Sequence, residues 1–127
     1  KDLLIDIIKE LKQNGIRTSI FVDPVLKQID GAKETGADRI ELYTEAFAHQ
    51  FNLGNKEAIK SYTECAQLAY RLGMGINAGH DLSLDNIKFF KENIPNLLEV
   101  SIGHALIAES LYLGVENVIN MYLHKLK

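Results

Sequence analysis

Three places in this chain carry residue types that can do chemistry at a strand end: Glu41, the run Asn77-Ala78-Gly79-His80, and Gly103-His104. Histidine changes charge near neutral pH and can give or take a proton, so His80, beyond a strand and among small residues, is the best general acid/base candidate. An exposed loop histidine would look the same. Glu41 stands between Ile40 and Leu42 on the polar side of a strand, where a carboxylate is partly desolvated. It serves either as an acid/base or in an interior ion pair, for instance with Arg39. Gly103 allows close backbone approach, and a helix starting near His104 would aim free N–H groups and its positive end at an anion, so phosphate fits there. The plainer alternative is a turn glycine and a capping histidine. Glu41, His80 and His104 could also form a two-histidine, one-carboxylate metal site, but no ligand spacing such as H-x-x-x-H supports it, and no metal is expected. His49 and His124 read as peripheral, and Cys65 as a small core residue.

The elements that must position these residues alternate regularly. A first helix presents Leu3, Leu4, Ile7, Ile8 and Leu11 on one face and stops at Asn14-Gly15. Strands are predicted at residues 17–23, 38–44, 74–77 and 97–102. Asp23-Pro24 should open the second helix, residues 55–72 form a third closed by Gly73, and Ser83 should cap a helix over 84–92. Shorter helices follow from His104 and from Val115. Residues 45–54, EAFAHQFNLG, read as the longest connection, of the kind that serves as a lid or a subunit contact.

This αβαβαβαβα order predicts a parallel sheet with crossover helices. In each strand the even positions are mostly apolar: Ile20 and Val22, Ile40 and Leu42, Ile76 and Ala78, Leu98, Val100 and Ile102. The odd positions are mostly polar or small. One polar face suits a barrel interior better than a doubly wound sheet, whose central strands are apolar on both faces. Four strand–helix units are half of an eightfold barrel. The rest is expected from a preceding segment or another chain, because four strands alone leave open edges and an unmatched inner face. The absence of an initiator methionine before Lys1 agrees with a piece of something longer.

Composition narrows the function classes. The 127 residues carry 17 acidic and 14 basic side chains, net charge −3, with no basic stripe, so nucleic acid is an unexpected partner. The single cysteine excludes an internal disulfide framework and fits a reducing cytoplasm. No apolar run reaches the roughly 20 residues that cross a bilayer, so no membrane association is expected.

Taken together, GADRIELYTEAFA at 36–48, LGMGINAGHDLSLDNI at 72–87 and LLEVSIGHALIAESLYLGVENVI at 97–119 resemble the pyridoxine 5′-phosphate synthases, as does FVDP at 21–24. The resemblance implies the second half, units five to eight, of a (β/α)8 TIM barrel. It implies condensation of 1-deoxy-D-xylulose 5-phosphate with 3-amino-2-oxopropyl phosphate to pyridoxine 5′-phosphate, phosphate and water, without metal or organic cofactor, in a cytoplasmic homo-oligomer. By the same resemblance Glu41 and His80 are catalytic acid/base residues and Gly103 and His104 hold a substrate phosphate. Asn77, Gly79 and Asp81 complete the substrate- and phosphate-binding set. Three positions depart from the family pattern: Tyr43 for His, Glu45 for Gly and Asp81 for Gly. A sugar-phosphate isomerase or epimerase, or a non-catalytic phosphate-binding half-barrel, are the competing readings of the same residues.

Overall fold

A computed structural model describes residues 2–127. Helix α1 spans Asp2–Gln13, strand β1 Ser19–Val22, α2 Leu26–Glu34, β2 Arg39–Tyr43 and α3 Glu45–Asn52. A 3-10 turn at Lys56–Ala58 leads into α4, Ile59–Arg71, followed by β3 Gly75–Gly79, α5 Ile87–Asn93, β4 Leu97–Ser101, α6 His104–Leu113 and α7 Val115–Leu126. Gly36 and Gly73 end α2 and α4 at φ +82° and +72°, the left-handed step that lets a chain leave a helix.

The four strands are parallel and lie side by side in chain order, β1-β2-β3-β4. A doubly wound sheet reverses its order at a switch point, whereas a barrel adds each strand beside the last. The sequential order, with a helix after every strand, is that of consecutive barrel units. It agrees with the parallel α/β architecture expected from the sequence.

The two faces divide by chemistry. On one, Ile40, Leu42, Ile76 and Ala78 are wholly buried against Ile29 of α2, Phe47 of α3 and Ala66 and Ala69 of α4. Burying a side chain of Ile or Leu size contributes about 1.5–3 kcal/mol, so this seam holds the helices to the sheet. On the other face Phe21, Glu41, Asn77 and Glu99 follow one another in register across all four strands.

Four sequence expectations are corrected. Residues 45–54 are not an open loop: α3 occupies most of them. Phe47 is fully buried with its ring centroid 5.0 Å from that of Phe90, and Phe51 lies 5.4 Å from Phe89. Phe47 and Ala48 anchor the segment in the core, so it is a packed helix and not a long open connection. Second, Leu98 leaves the apolar face. A bulge lets Ile76 pair with Leu97 and Asn77 with Glu99, so Leu97 packs on the core and Leu98 turns to the Gly75 side, 56% exposed. Third, Asp23 does not cap α2. Its N–H donates to Gln28 Oε1 at 2.9 Å, and Gln28 Nε2 donates to Asp23 Oδ2 at 3.1 Å, which holds Pro24 outside the helix. Fourth, α5 starts at Ile87 because Ser83 and Asn86 form a side-chain-locked turn: Asn86 Oδ1 accepts the Ser83 N–H at 2.9 Å.

Lys12 and Thr18 clamp Asp38 at the amino-terminal side of the sheet. Lys12 Nζ lies 2.8 Å from Oδ1, while the Thr18 N–H and hydroxyl donate to Oδ2 at 2.9 and 3.0 Å. Cys65 is buried in α4, and burial pushes its thiol up to about 11. Among the described residues no helix is long and apolar enough to cross a membrane.

Candidate active site

At the carboxyl ends of the strands a cavity of about 440 Å³ is lined by Phe21, Glu41, His80, Asp81, Ser101, Ile102, Gly103 and His104. Residues from all three sequence motifs therefore meet in one place. Ligand sites of parallel α/β folds lie at this end because the loops there are free to vary while the strands hold them in register.

Glu41 reaches the cavity because β3 yields to it. Its carboxylate leans past its register partner Asn77 to lie over Gly79, where any Cβ would stand 2.5 Å from Glu41 Oε1. Gly79 thus shapes the site as the surface on which the carboxylate rests. Among the described residues no hydrogen bond or salt bridge engages the Glu41 carboxylate, so the ion pair with Arg39 weighed from the sequence is not formed.

Arg39 is committed elsewhere. Its Nη1 lies 3.0 Å from Glu99 Oε1 and donates to Asn77 Oδ1 at 3.1 Å, while Asn77 Nδ2 donates to Glu99 Oε2 at 3.1 Å. Arg17 Nη2 adds a contact to Glu99 at 3.2 Å. Desolvation pushes the Glu99 carboxyl upward, but the charges of Arg17 and Arg39 and their hydrogen bonds outweigh it and hold it below its ordinary value. Asn77, although in register with Glu41, is therefore bound into an ionic network and is not among the residues lining the cavity.

His80 follows directly on Gly79 with φ +88°, and Asp81 with φ +57°. Two consecutive left-handed residues outside glycine are uncommon and need partners to hold them. Thr44 Oγ1 donates to Gly79 O at 2.7 Å and is bonded to His80 O, while Asn86 Nδ2 donates to Asp81 O at 3.2 Å. The His80 ring meets Tyr43 edge to face at 5.0 Å and Phe21 at 5.7 Å. Asp81 is exposed and adds negative charge to the same wall.

Gly103 and His104 begin α6, whose ten residues start at the cavity. A Cβ at Gly103 would meet no protein atom within 4 Å, so open space lies beside its backbone. The carboxylate of Glu109, one turn further on, accepts from the Tyr122 hydroxyl at 2.7 Å and from the Leu84 N–H at 3.4 Å. That bond and burial raise the Tyr122 hydroxyl above its ordinary value, burial being the larger cause. Among the described residues no group of three or more His, Cys, Asp or Glu stands close enough to hold a metal ion. His49 and His124 are exposed and line no part of this cavity.

Phe21, Thr44 and Asn86 were not singled out as site residues by sequence. Phe21 could have been, since its odd position on β1 puts it in register with Glu41. Thr44 and Asn86 act through bonds to backbone carbonyls, which no sequence spacing announces.

Residues 1–127 match the model of a family described as pyridoxal phosphate biosynthesis protein PdxJ. Proteins named pyridoxine 5′-phosphate synthase from Flavobacterium johnsoniae and Christiangramia forsetii are 71% and 66% identical to it over 127 residues, all of this chain and 54% of each relative. The protein of that name from Porphyromonas gingivalis is 50% identical over 125 residues, 98% of this chain and 52% of the relative. The chain spans about half the length of the curated relatives it matches. On the match of its whole length, and with its motif residues gathered in one cavity, the chain belongs to the pyridoxal phosphate biosynthesis protein PdxJ family.

Proposed function

We propose that these residues are one wall of a pyridoxine 5′-phosphate synthase, which condenses 1-deoxy-D-xylulose 5-phosphate with 3-amino-2-oxopropyl phosphate to pyridoxine 5′-phosphate, inorganic phosphate and water. The observation that carries the reading is the meeting of Glu41, His80 and the Gly103-His104 helix start around one cavity. The half-length match supports residues 1–127 as half of a single barrel, the second half by the resemblance of its motifs, with the other strands supplied by the rest of the protein.

The reaction needs carbinolamine and imine formation, enolisation, phosphate loss and ring closure, and every one of these steps moves protons. A carboxylate and an imidazole lining the same 440 Å³ space can divide that work. Glu41, with no partner among the described side chains, accepts a proton from a carbon or nitrogen acid. His80, packed against the Tyr43 and Phe21 rings, delivers one to a leaving oxygen. Gly103 and His104 bind a substrate phosphate through the first N–H groups of α6 and its positive end. Gly79 serves the phosphate-side site by making room for the Glu41 carboxylate, and Asn77 by bridging Arg39 and Glu99 beside it. Asp81 borders the bound phosphate and biases its position by repulsion.

The same proposal includes a cytoplasmic homo-oligomer. Its supports are the buried, unpaired Cys65 and the apolar side chains that α6 and α7 expose, among them Leu111 and Tyr112 at 81% and 90%. The deciding experiment incubates the full-length protein with both substrates and follows pyridoxine 5′-phosphate by chromatography. Product formed only when both are present supports the synthase. Conversion of deoxyxylulose phosphate alone replaces it with an isomerase, and binding without conversion replaces it with a phosphate-binding module.

A further inference from the structure

We propose that Thr44 is a positioning residue for His80, which sets the backbone turn that carries the imidazole into the cavity. The proposal rests on the reading of His80 as the acid/base group. Thr44 follows the last residue of β2 and is fully buried. Its N–H donates to Gly79 O at 2.9 Å and its hydroxyl to the same oxygen at 2.7 Å, with His80 O a second acceptor for that hydroxyl. One hydroxyl proton shared between two successive carbonyls draws them to the same side. That is the arrangement a left-handed residue needs, and His80 has φ +88°.

The neighbouring residue completes the grip. Tyr43 places its ring edge to face on His80 at 5.0 Å, and Phe21 completes a three-ring cluster, 5.7 Å from His80 and 5.2 Å from Tyr43. The last residue of β2 thus holds the ring and the next one the backbone of a residue on β3's exit. Beyond it, Asn86 fixes Asp81 O at 3.2 Å, so the turn is anchored at both ends and the hydroxyl controls the end that bears the imidazole. A Thr44 that merely satisfied buried carbonyls would affect stability without changing the state of His80.

The test uses the full-length protein with T44V, which keeps shape and removes the donor, and T44S, which keeps the donor. The His80 imidazole resonance, assigned by its loss in H80N, is recorded with kcat, KM and Tm. T44V should fold, shift that resonance, and lose at least about 10-fold in kcat with KM within about 2-fold, since small misplacements of a catalytic group are costly. T44S should return kcat to within about 3-fold and restore the resonance. An unmoved resonance in a folded T44V, or equal kcat losses in T44V and T44S that follow Tm, overturns the proposal. Should T44V fail to fold, T44A takes its place, and failure of both assigns Thr44 a structural role instead. If the wild type makes no pyridoxine 5′-phosphate, the synthase reading falls, while the resonance still decides the role of Thr44.

Discussion

Glu41 lies across Gly79 much as Arg39 lies across Gly75: a Cβ at residue 79 would stand 2.5 Å from Glu41 Oε1, and one at residue 75 would stand 2.8 Å from Arg39 Cγ. Two glycines on the polar side of β3 thus make room for two charged side chains of β2. They separate the charges as well, since Arg39 is taken by Glu99 at 3.0 Å and Glu41 is left to the cavity.

Gly79→Ala should therefore act on catalysis more than on folding. The carboxylate can swing away from the new methyl, but it then leaves the cavity, and the Cβ also presses on Ser101 Cβ at 3.0 Å. Overpacking of this size costs about 1–3 kcal/mol. We expect a folded full-length protein with kcat reduced at least about 10-fold. Gly75→Ala, which meets Arg39 and Leu98, should cost comparable stability and leave kcat within about 3-fold. Equal kcat losses in the two variants would show that the Glu41–Gly79 contact has no catalytic meaning.

Asp81 should oppose the binding of phosphorylated substrates. Its carboxylate lines the cavity shared with Gly103 and His104 and has no bonded partner among the described side chains. Asparagine accepts the same left-handed backbone, so Asp81→Asn removes charge and little else. KM for a phosphorylated substrate should fall by about 2- to 5-fold at low ionic strength, and the gain should shrink with added salt. A KM insensitive to both would place Asp81 outside the phosphate's field.

Much of this arrangement was legible in the sequence because it depends on local spacing. Period-2 alternation marked Glu41 as interior, glycines marked the ends of α2 and α4, and Gly103-His104 marked a helix start beside a strand end. What escaped depends on distant partners. Residues 45–54 are a helix because Phe47 and Phe51 find Phe89 and Phe90 some forty residues along the chain. Leu98 left the apolar face because a bulge between Leu97 and Glu99 makes it the extra residue, while Glu99 and Val100 keep the faces their alternation predicts. Asn77 lay in a motif that pointed to the ligand, yet its amide is taken by Arg39 and Glu99 and does not line the cavity.

Acid should loosen the amino-terminal side of the sheet first. The Lys12 hydrogen bond, followed by the Thr18 N–H, pulls Asp38 from 3.8 down to about 2 against a smaller opposing desolvation. A depressed carboxyl stabilises the fold fully above its unfolded value, and the contribution drains away as pH falls from about 4 towards about 2. After discounting for solvent screening it amounts to about 1 kcal/mol. In full-length protein, Asp38→Asn should lower stability at pH 7 by that amount and by progressively less towards pH 2. An equal deficit at both pH values would mean that the Asp38 charge contributes nothing.

The 127 residues expressed alone should neither turn over substrate nor melt as a cooperative monomer. β1 and β4 end the sheet on either side, and the inner face leaves Phe21 at 51% and Leu98 at 56% exposure. Supplying the rest of the protein, in one chain or in two, should restore a single melting transition and activity together. A cooperative, active monomer of these residues would remove the half-barrel reading.

His80 and His104 line one cavity but should fail differently when replaced. His80 is aimed by its backbone and its ring partners, an investment in orientation that matters when a proton moves. His104 is the first residue of α6, where position relative to the helix start governs anion binding. His80→Asn should lower kcat by about 100-fold or more with KM within a few-fold, the size usually lost with a general acid or base. His104→Ala should raise KM for a phosphorylated substrate about 10-fold and lower kcat much less. The separation is informative because the loss of an interaction made equally in ground and transition states appears in KM, whereas a group needed only at the moment of proton transfer appears in kcat. Matching losses in both constants for both variants would merge the two histidines into a single role and dissolve the division between the Gly103-His104 phosphate site and the Glu41–His80 chemistry.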